Sequence, residues 1–175
     1  DVGEAPGTLQ AAVLRSPHAH AELLGVDATA ALAMPGVRAV LTGEDVKRWS
    51  QPFVVGVKAP MQHWARAVDR VRYSGEPVAV VIAEDRYLAE DALDAIRVEY
   101  RPLSATVDIA QACEADAPVL HEAVGSNVVN ERRFSYGDPA QAFASAARRV
   151  ALTVHYPRNS CTPMECGVVV AEHQA

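Results

Sequence analysis

Cysteine is scarce: Cys113, Cys161 and Cys166 are the only three in 175 residues. So few, and an odd number, exclude a disulfide framework and point to a reducing, cytoplasmic setting. Basic runs are missing as well, and the net charge of -6 argues against nucleic acid or an anionic membrane as partner. No apolar stretch approaches the roughly 20 residues needed to span a bilayer. The first ten residues, DVGEAPGTLQ, have neither the basic nor the apolar segment of a secretory signal. Two families of catalytic motif are absent. Without G-x-G-x-x-G or G-x-x-x-x-G-K-[ST] there is no phosphate-binding turn, and without G-x-S-x-G there is no nucleophile elbow.

What is present is an ordinary globular composition, half hydrophobic and 22% charged, sufficient for a core without covalent staples. Thr8 to Ser16 reads as a buried strand and ELLGVDA, from Glu22, as a second. A short helix then starts at Asp27 or Thr29 and stops at Pro35-Gly36. VRAVLTG predicts a strand and GEDVKRW a short helix, while residues 50–68, broken by Pro52, Gly56 and Pro60, show no period. The clearest passage is VAVVIA, residues 78–83, six apolar residues suited to a strand buried on both faces. DRYLAEDALDAIRVEY follows it. Leu88, Ala92, Leu93 and Ile96 recur at helical spacing, and Val98 and Tyr100 resume a strand that Pro102 ends. Strand, helix and strand in succession predict a crossover with a parallel pair. Beyond Ser104 the sequence predicts a short helix and a linker to Asn127, then a strand in NVVNERRFSYGD. A helix capped by Asp138 with Pro139 at its first position follows, and then a strand in RRVALTVHY. The closing apolar run, CGVVVAEHQA, has no turn or cap after it and reads as part of a longer polypeptide.

Candidate chemistry is sparse. His18 and His20, two residues apart in RSPHAHA, would share a face if the strand continued, and imidazole suits zinc, copper or iron. Pro17 interrupts the strand, however, and a closed site needs further ligands. His63, His121, His155 and His173 each stand alone. Cys161 and Cys166 have the C-x4-C spacing that opens a plant-type [2Fe–2S] motif, but four cysteines are required and only Cys113 remains. Cys113 has no activating cation nearby in sequence. Glu90, Asp91 and Asp94 lie along a solvated helix face, and Glu165, in TPMEC, reads as a locally paired carboxylate.

One further signal comes from the order of short signatures. AAVLRSPHAHA, DATAALAMPGVRAVLTGEDV, HWARAVDRVRYSGEPVAVVIAEDRYLAEDALDAIRVEYRPLSATVD, LHE, GDPAQAFASA and TPMEC occur in one chain. Together they resemble the N-terminal part of the molybdenum-binding large subunit of the molybdenum hydroxylases. That family includes xanthine dehydrogenase, aldehyde oxidase and the carbon monoxide dehydrogenase type, which the chain resembles most.

The resemblance implies an α+β fold, with an α/β hammerhead domain over residues 1–107 and a connecting segment over 108–127. Residues 128–175 would then open the first molybdopterin-binding domain. It implies a parent that hydroxylates an organic substrate, or oxidises an aldehyde or carbon monoxide, with oxygen from water. Molybdenum would be held by a molybdopterin dinucleotide, with [2Fe–2S] clusters on a small subunit and FAD on a medium subunit. The family's pterin-contacting and catalytic segments correspond to no position of this chain. No catalytic, cofactor-binding or metal-binding residue is therefore assigned, and no cofactor is expected in the fragment. Glu165 belongs to the family's PME signature without a catalytic step, and Gly167 stands where relatives carry Arg. His18 and His20 become structural residues, hydrogen-bonding at a strand end, because the family binds its metal through pterin thiolates. The alternatives are a free-standing, non-catalytic hammerhead module and a histidine-based metalloprotein.

Overall fold

The computed structural model describes residues 5–53, 61–156, 162, 164 and 167–172. Strand β5 (Pro77–Ala83) is its organising element. Four of its seven residues in a row, Val78 to Val81, are buried, and so is Ala83, because the apolar run faces packing on both sides. It is the centre of a three-stranded sheet, with β1 (Gln10–Arg15) on one edge and β3 (Val37–Thr42) on the other. Both pairings are antiparallel: Ala12 lies opposite Val81 on one side and Val40 opposite Val81 on the other.

Helix α3 (Arg86–Asp94) follows β5 after one turn and covers the β1–β5 face. Asp85 caps it, accepting the Leu88 N–H at 2.9 Å. The contact is lined by small side chains: Ala12, Ala79, Ala83, Ala89 and Ala92 are buried around Val81 and Ile96. Alanine at these positions lets the helix lie close to the sheet, so the packing is set by backbone approach more than by side-chain bulk.

A second sheet has the order β4-β2-β6, with β2 (Ala21–Asp27) at its centre, β4 (Arg70–Val71) and β6 (Arg97–Pro102). It is also antiparallel. Ala21, Val71, Val78 and Ala67 form its core, and Val26 and Val98 pack against both cores. The parallel pair expected from the strand–helix–strand passage is therefore absent among the described residues. The reason lies in hydrogen-bonding edges. Both edges of β5 are taken by β1 and β3, so the chain leaving α3 pairs with β2 in the other sheet instead. Burial on both faces came from a central position between helix and second core, not from a parallel sheet. β1 differs too: it is an edge strand in which only Ala12 is buried.

The shorter elements follow local chemistry. Helix α1 (Thr29–Leu32) has Ala28 at its N-cap, yet Asp27 still accepts the Thr29 N–H at 2.9 Å. Helix α2 (Gly43–Trp49) begins with a Thr42–Asp45 box, in which Asp45 accepts the Thr42 N–H at 2.8 Å. Glu44 and Asp45 in its first turn and Lys47 and Arg48 in its last agree with the helix dipole. Gly43 is required by close approach: a Cβ there would stand 2.1 Å from the Ala67 carbonyl oxygen. In residues 50–68 the described part shows one bridge, Phe53 with His63.

The chain divides into two units, residues 5–131 and residues 132–175 together with 1–4. The first holds both sheets and the short helix α4 (Ile109–Ala112), capped by Asp108. In the second, helix α5 (Pro139–Ser145) starts as the sequence predicts, with Asp138 accepting the Gln141 N–H at 2.9 Å and Pro139 in the first turn. The strands expected in 127–138 and 148–156 do not form among the described residues. An extended segment becomes a strand only by pairing, and no partner strand is present there among the described residues.

Candidate functional site

Two of the connections between the sheets run side by side. Residues 16–20 lead from β1 into β2, and residues 72–76 lead from β4 into β5. Backbone hydrogen bonds tie them: Ser16 N–H to the Glu76 carbonyl at 2.9 Å, and Gly75 N–H to the Ser16 carbonyl at 2.8 Å. The Arg15 guanidinium adds a bond to the Gly75 carbonyl at 2.9 Å. Gly75 turns the chain at φ +89°, a conformation that favours glycine. Ser16, His20 and Glu76 are the buried polar residues here.

His18 and His20 go to different places. The His18 ring, half-buried, stands edge-on to Tyr100 with centroids 4.8 Å apart. The His18 backbone N–H donates to Ser16 Oγ at 3.0 Å, closing the turn around Pro17. His20 is buried immediately before β2, with Nδ1 2.7 Å from the Ser104 carbonyl oxygen. A carbonyl only accepts, so Nδ1 carries a proton and donates to it. Nε2 is buried and has no hydrogen-bond partner among the described residues. His20 thus hydrogen-bonds at a strand end, while His18 closes a turn and packs on an aromatic ring.

Glu76 is the residue that reading the sequence missed. It is the middle residue of the Gly-Glu-Pro break ahead of the apolar run, and a carboxylate placed just before a buried strand was the available signal. Its Oε2 accepts the Arg72 N–H at 2.5 Å. Burial pushes its carboxyl above the ordinary value, against the pull of that hydrogen bond and of the Arg72 and His63 charges. Burial also raises Tyr73, with the Glu76 charge adding to it and Arg15 opposing it. His121 is lowered by burial and then by Arg72 and His63. His63 and His121, isolated in sequence, therefore share one electrostatic neighbourhood around Arg72. Tyr100 is raised by burial, with a Ser16 hydrogen bond pulling the other way.

The other singled-out residues stay apart. Cys113 follows α4 as an exposed free thiol. Glu90 pairs with Arg86 at 2.8 Å on the exposed side of α3, beside exposed Asp91 and Asp94. His155 is exposed in the second unit, where Gly167 also lies. Cys161, Glu165, Cys166 and His173 fall outside the described residues. Among the described residues no three His, Cys, Asp or Glu side chains converge as metal ligands. The arrangement is a joint between sheets: it fixes backbone geometry and holds one carboxyl above its ordinary value, with no nucleophile–base pair beside it among the described residues.

The family model for the aldehyde oxidase and xanthine dehydrogenase a/b hammerhead domain matches residues 1–104. The chain belongs to this family. Its match spans β1 to β6 and so contains the whole joint. The carbon monoxide dehydrogenase large chain of Hydrogenophaga pseudoflava is 37% identical over 95% of this chain and 22% of its own length. The nicotine 6-hydroxylase large subunit of Paenarthrobacter nicotinovorans is 36% identical over 96% of this chain and 21% of its own. Among solved structures, quinoline 2-oxidoreductase from Pseudomonas putida 86 superposes with a TM-score of 0.74 at 37% identity, over 83% of this chain and 19% of that one. The chain thus spans about a fifth of the length of these relatives. The hammerhead fold, with its two antiparallel sheets and helices, is shared with large subunits of such enzymes. No helix among the described residues is long and apolar enough to cross a membrane.

Proposed function

We propose that this chain is the N-terminal part of the molybdopterin-binding large subunit of an oxidoreductase. The parent hydroxylates an organic substrate, such as an aldehyde or N-heterocycle, or oxidises carbon monoxide, with water as the oxygen source. The observation that carries the reading is 37% identity sustained over 95% of the chain to a carbon monoxide dehydrogenase large chain. A nicotine hydroxylase large subunit at 36% identity supports the class of chemistry and leaves the substrate open.

Within the parent, residues 1–107 form the hammerhead domain, 108–127 the connecting segment, and 128–175 the opening of the first molybdopterin-binding domain. Molybdenum on a molybdopterin dinucleotide supplies the oxidising centre, and electrons pass to [2Fe–2S] clusters on a small subunit and FAD on a medium subunit. The described residues do not fit that cofactor. His18 and His20 go to different places, and no cluster of metal ligands is assembled among the described residues. The role of the fragment is architectural. A cytoplasmic location belongs to the same proposal and rests on the sparse cysteines and the exposed free thiol of Cys113.

The two internal cores of residues 5–131 favour one second reading, a free-standing hammerhead module used for assembly without chemistry. A reading frame that continues into glycine-rich molybdopterin motifs would exclude it. Elemental analysis of the 175-residue chain, purified from cells that make molybdopterin, tests the placement of the cofactor. The expected result is no stoichiometric molybdenum, iron, zinc or copper in the fragment, with molybdenum appearing in the parent subunit. Stoichiometric molybdenum in the fragment, or none in the parent, would contradict the proposal. Zinc or copper lost on changing both His18 and His20 to Ala would instead establish a histidine metal site.

A further inference from the structure

The segment after α4 is folded, and one side chain closes it. In APVLHEAVGSN, Ala117 to Asn127, the Asn127 amide uses both its hydrogens and its oxygen. Its Nδ2 donates to the Ala112 and Pro118 carbonyls, each at 3.0 Å, and its Oδ1 accepts the Leu120 N–H at 2.9 Å. The longest of these bonds in sequence spans 15 positions, back to the end of α4. One helical turn lies inside the closed span, with Val124 N–H on the His121 carbonyl at 2.9 Å.

The closed segment meets β4 and its continuation through polar groups. Leu120 is gripped at both ends of its backbone: Asn127 takes the N–H, and the Arg72 Nε–H donates to the carbonyl at 3.3 Å. Glu76 in turn accepts the Arg72 backbone N–H, so an unbroken chain of hydrogen bonds runs from Glu76 through Arg72 and Leu120 to Asn127. Beside it Arg70, its side chain 16% exposed, meets Glu122 Oε1 at 2.7 Å and Glu22 at 3.6 Å. Apolar burial contributes little to the attachment. No residue from 105 to 131 is buried, and neither core includes one. The attachment is therefore separate from the packing that holds the two sheets together.

We propose that residues 112–127 are a latched strap: they dock on β4 as one unit, open without unfolding either core, and are locked by Asn127. Asn127 is a positioning residue. It acts through Leu120, by holding that backbone where its carbonyl meets Arg72. Because the second unit begins at Arg132, the latch also sets the point from which the chain leaves the first. The inference does not depend on the chemistry of the parent.

Amide-resolved hydrogen exchange by NMR on the whole 175-residue chain, at one fixed pH, tests it. The Leu120 and Val124 amides should be protected, and denaturant below the unfolding transition should barely change their exchange, as for a local opening. Amides of β5 should instead exchange faster as denaturant rises, following global unfolding. In Asn127→Ala three hydrogen bonds are lost, each roughly a two- to tenfold factor in an equilibrium, so Leu120 protection should fall at least about tenfold. Protection in α3 and β5, and the thermal midpoint, should not change. Glu122→Gln removes only an exposed ion pair and should lower strap protection less, by about two- to fivefold. An unprotected Leu120 amide in the unmodified chain, or one unmoved in Asn127→Ala, would overturn the latch. A larger loss in Glu122→Gln than in Asn127→Ala would place the lock at the ion pair and overturn it too. Strap amides that follow the denaturant response of β5, or a loss in Asn127→Ala that spreads to β5 and α3, would overturn the separately opening unit.

Discussion

Val78 to Ala83 and Val150 to Tyr156 are both apolar segments of strand-forming composition, yet they end in opposite environments. In β5 the residues Val78, Ala79, Val81 and Ala83 are buried, between two partner strands and under α3. In the second segment Val150 is 92% exposed, Leu152 83% and Val154 74%. The same contrast holds for the two units. Residues 5–131 contain two cores, whereas no residue described in 132–172 is buried. An apolar pattern supplies a face that can be buried, but burial needs a second surface, and only the first unit carries its own. The exposed Phe134, Tyr136, Val168 and Val169 belong to the same unmet demand.

The contrast can be broken most sharply by placing one charge in each segment. Val81→Asp puts a carboxylate in a fully buried position with no partner, and it should abolish cooperative unfolding of the 175-residue chain. Leu152→Asp should leave the thermal midpoint within experimental error, as judged by circular dichroism. Loss of the transition in both variants would show that the second segment is also packed.

Next in size is Gly43→Ala. With a Cβ forced to 2.1 Å from the Ala67 carbonyl oxygen, α2 or residues 67–68 must shift, and chemical denaturation should show a loss of about 1–3 kcal/mol. Unchanged stability would mean that this contact relaxes freely.

Helix caps sharpen the comparison further, because chemically identical caps sit in both units. Asp85 accepts the Leu88 N–H and Asp138 accepts the Gln141 N–H, each at 2.9 Å. Asp85→Ala should lower unfolding stability by about 1 kcal/mol, since α3 is part of the core. Asp138→Ala should leave global unfolding unchanged and reduce only local helicity over 139–145. The smallest effect belongs to Arg38→Ala. Its ion pair with Glu84 has side chains 59% and 49% exposed, so denaturation should detect about 0.5 kcal/mol or less.

Much of the first unit was legible because its signals are local. The apolar run of β5 and the Pro102 stop each act within a few residues, as does the Asp138 cap in the second unit, and each element formed where those residues predict. The pairing of β5 was not legible. Antiparallel partners come from residues 10–15 and 37–42, and nothing in VAVVIA distinguishes them from a parallel neighbour. The joint was half legible. RSPHAHA marked a strand end, but His20 meets Ser104 across 84 positions and Glu76 meets Arg72 through backbone geometry, so neither contact has a sequence signature. Residues 148–156 read as a strand, but none forms there, and the partner it would require is not among the described residues.

Among the described residues, those of 5–131 carry their own cores and those of 132–172 do not. Peptide-resolved hydrogen exchange of the 175-residue chain at neutral pH tests it most directly. The account predicts slow exchange through β5 and α3 and near-intrinsic exchange through 148–156. Strong protection over 148–156, or none over β5, would contradict it.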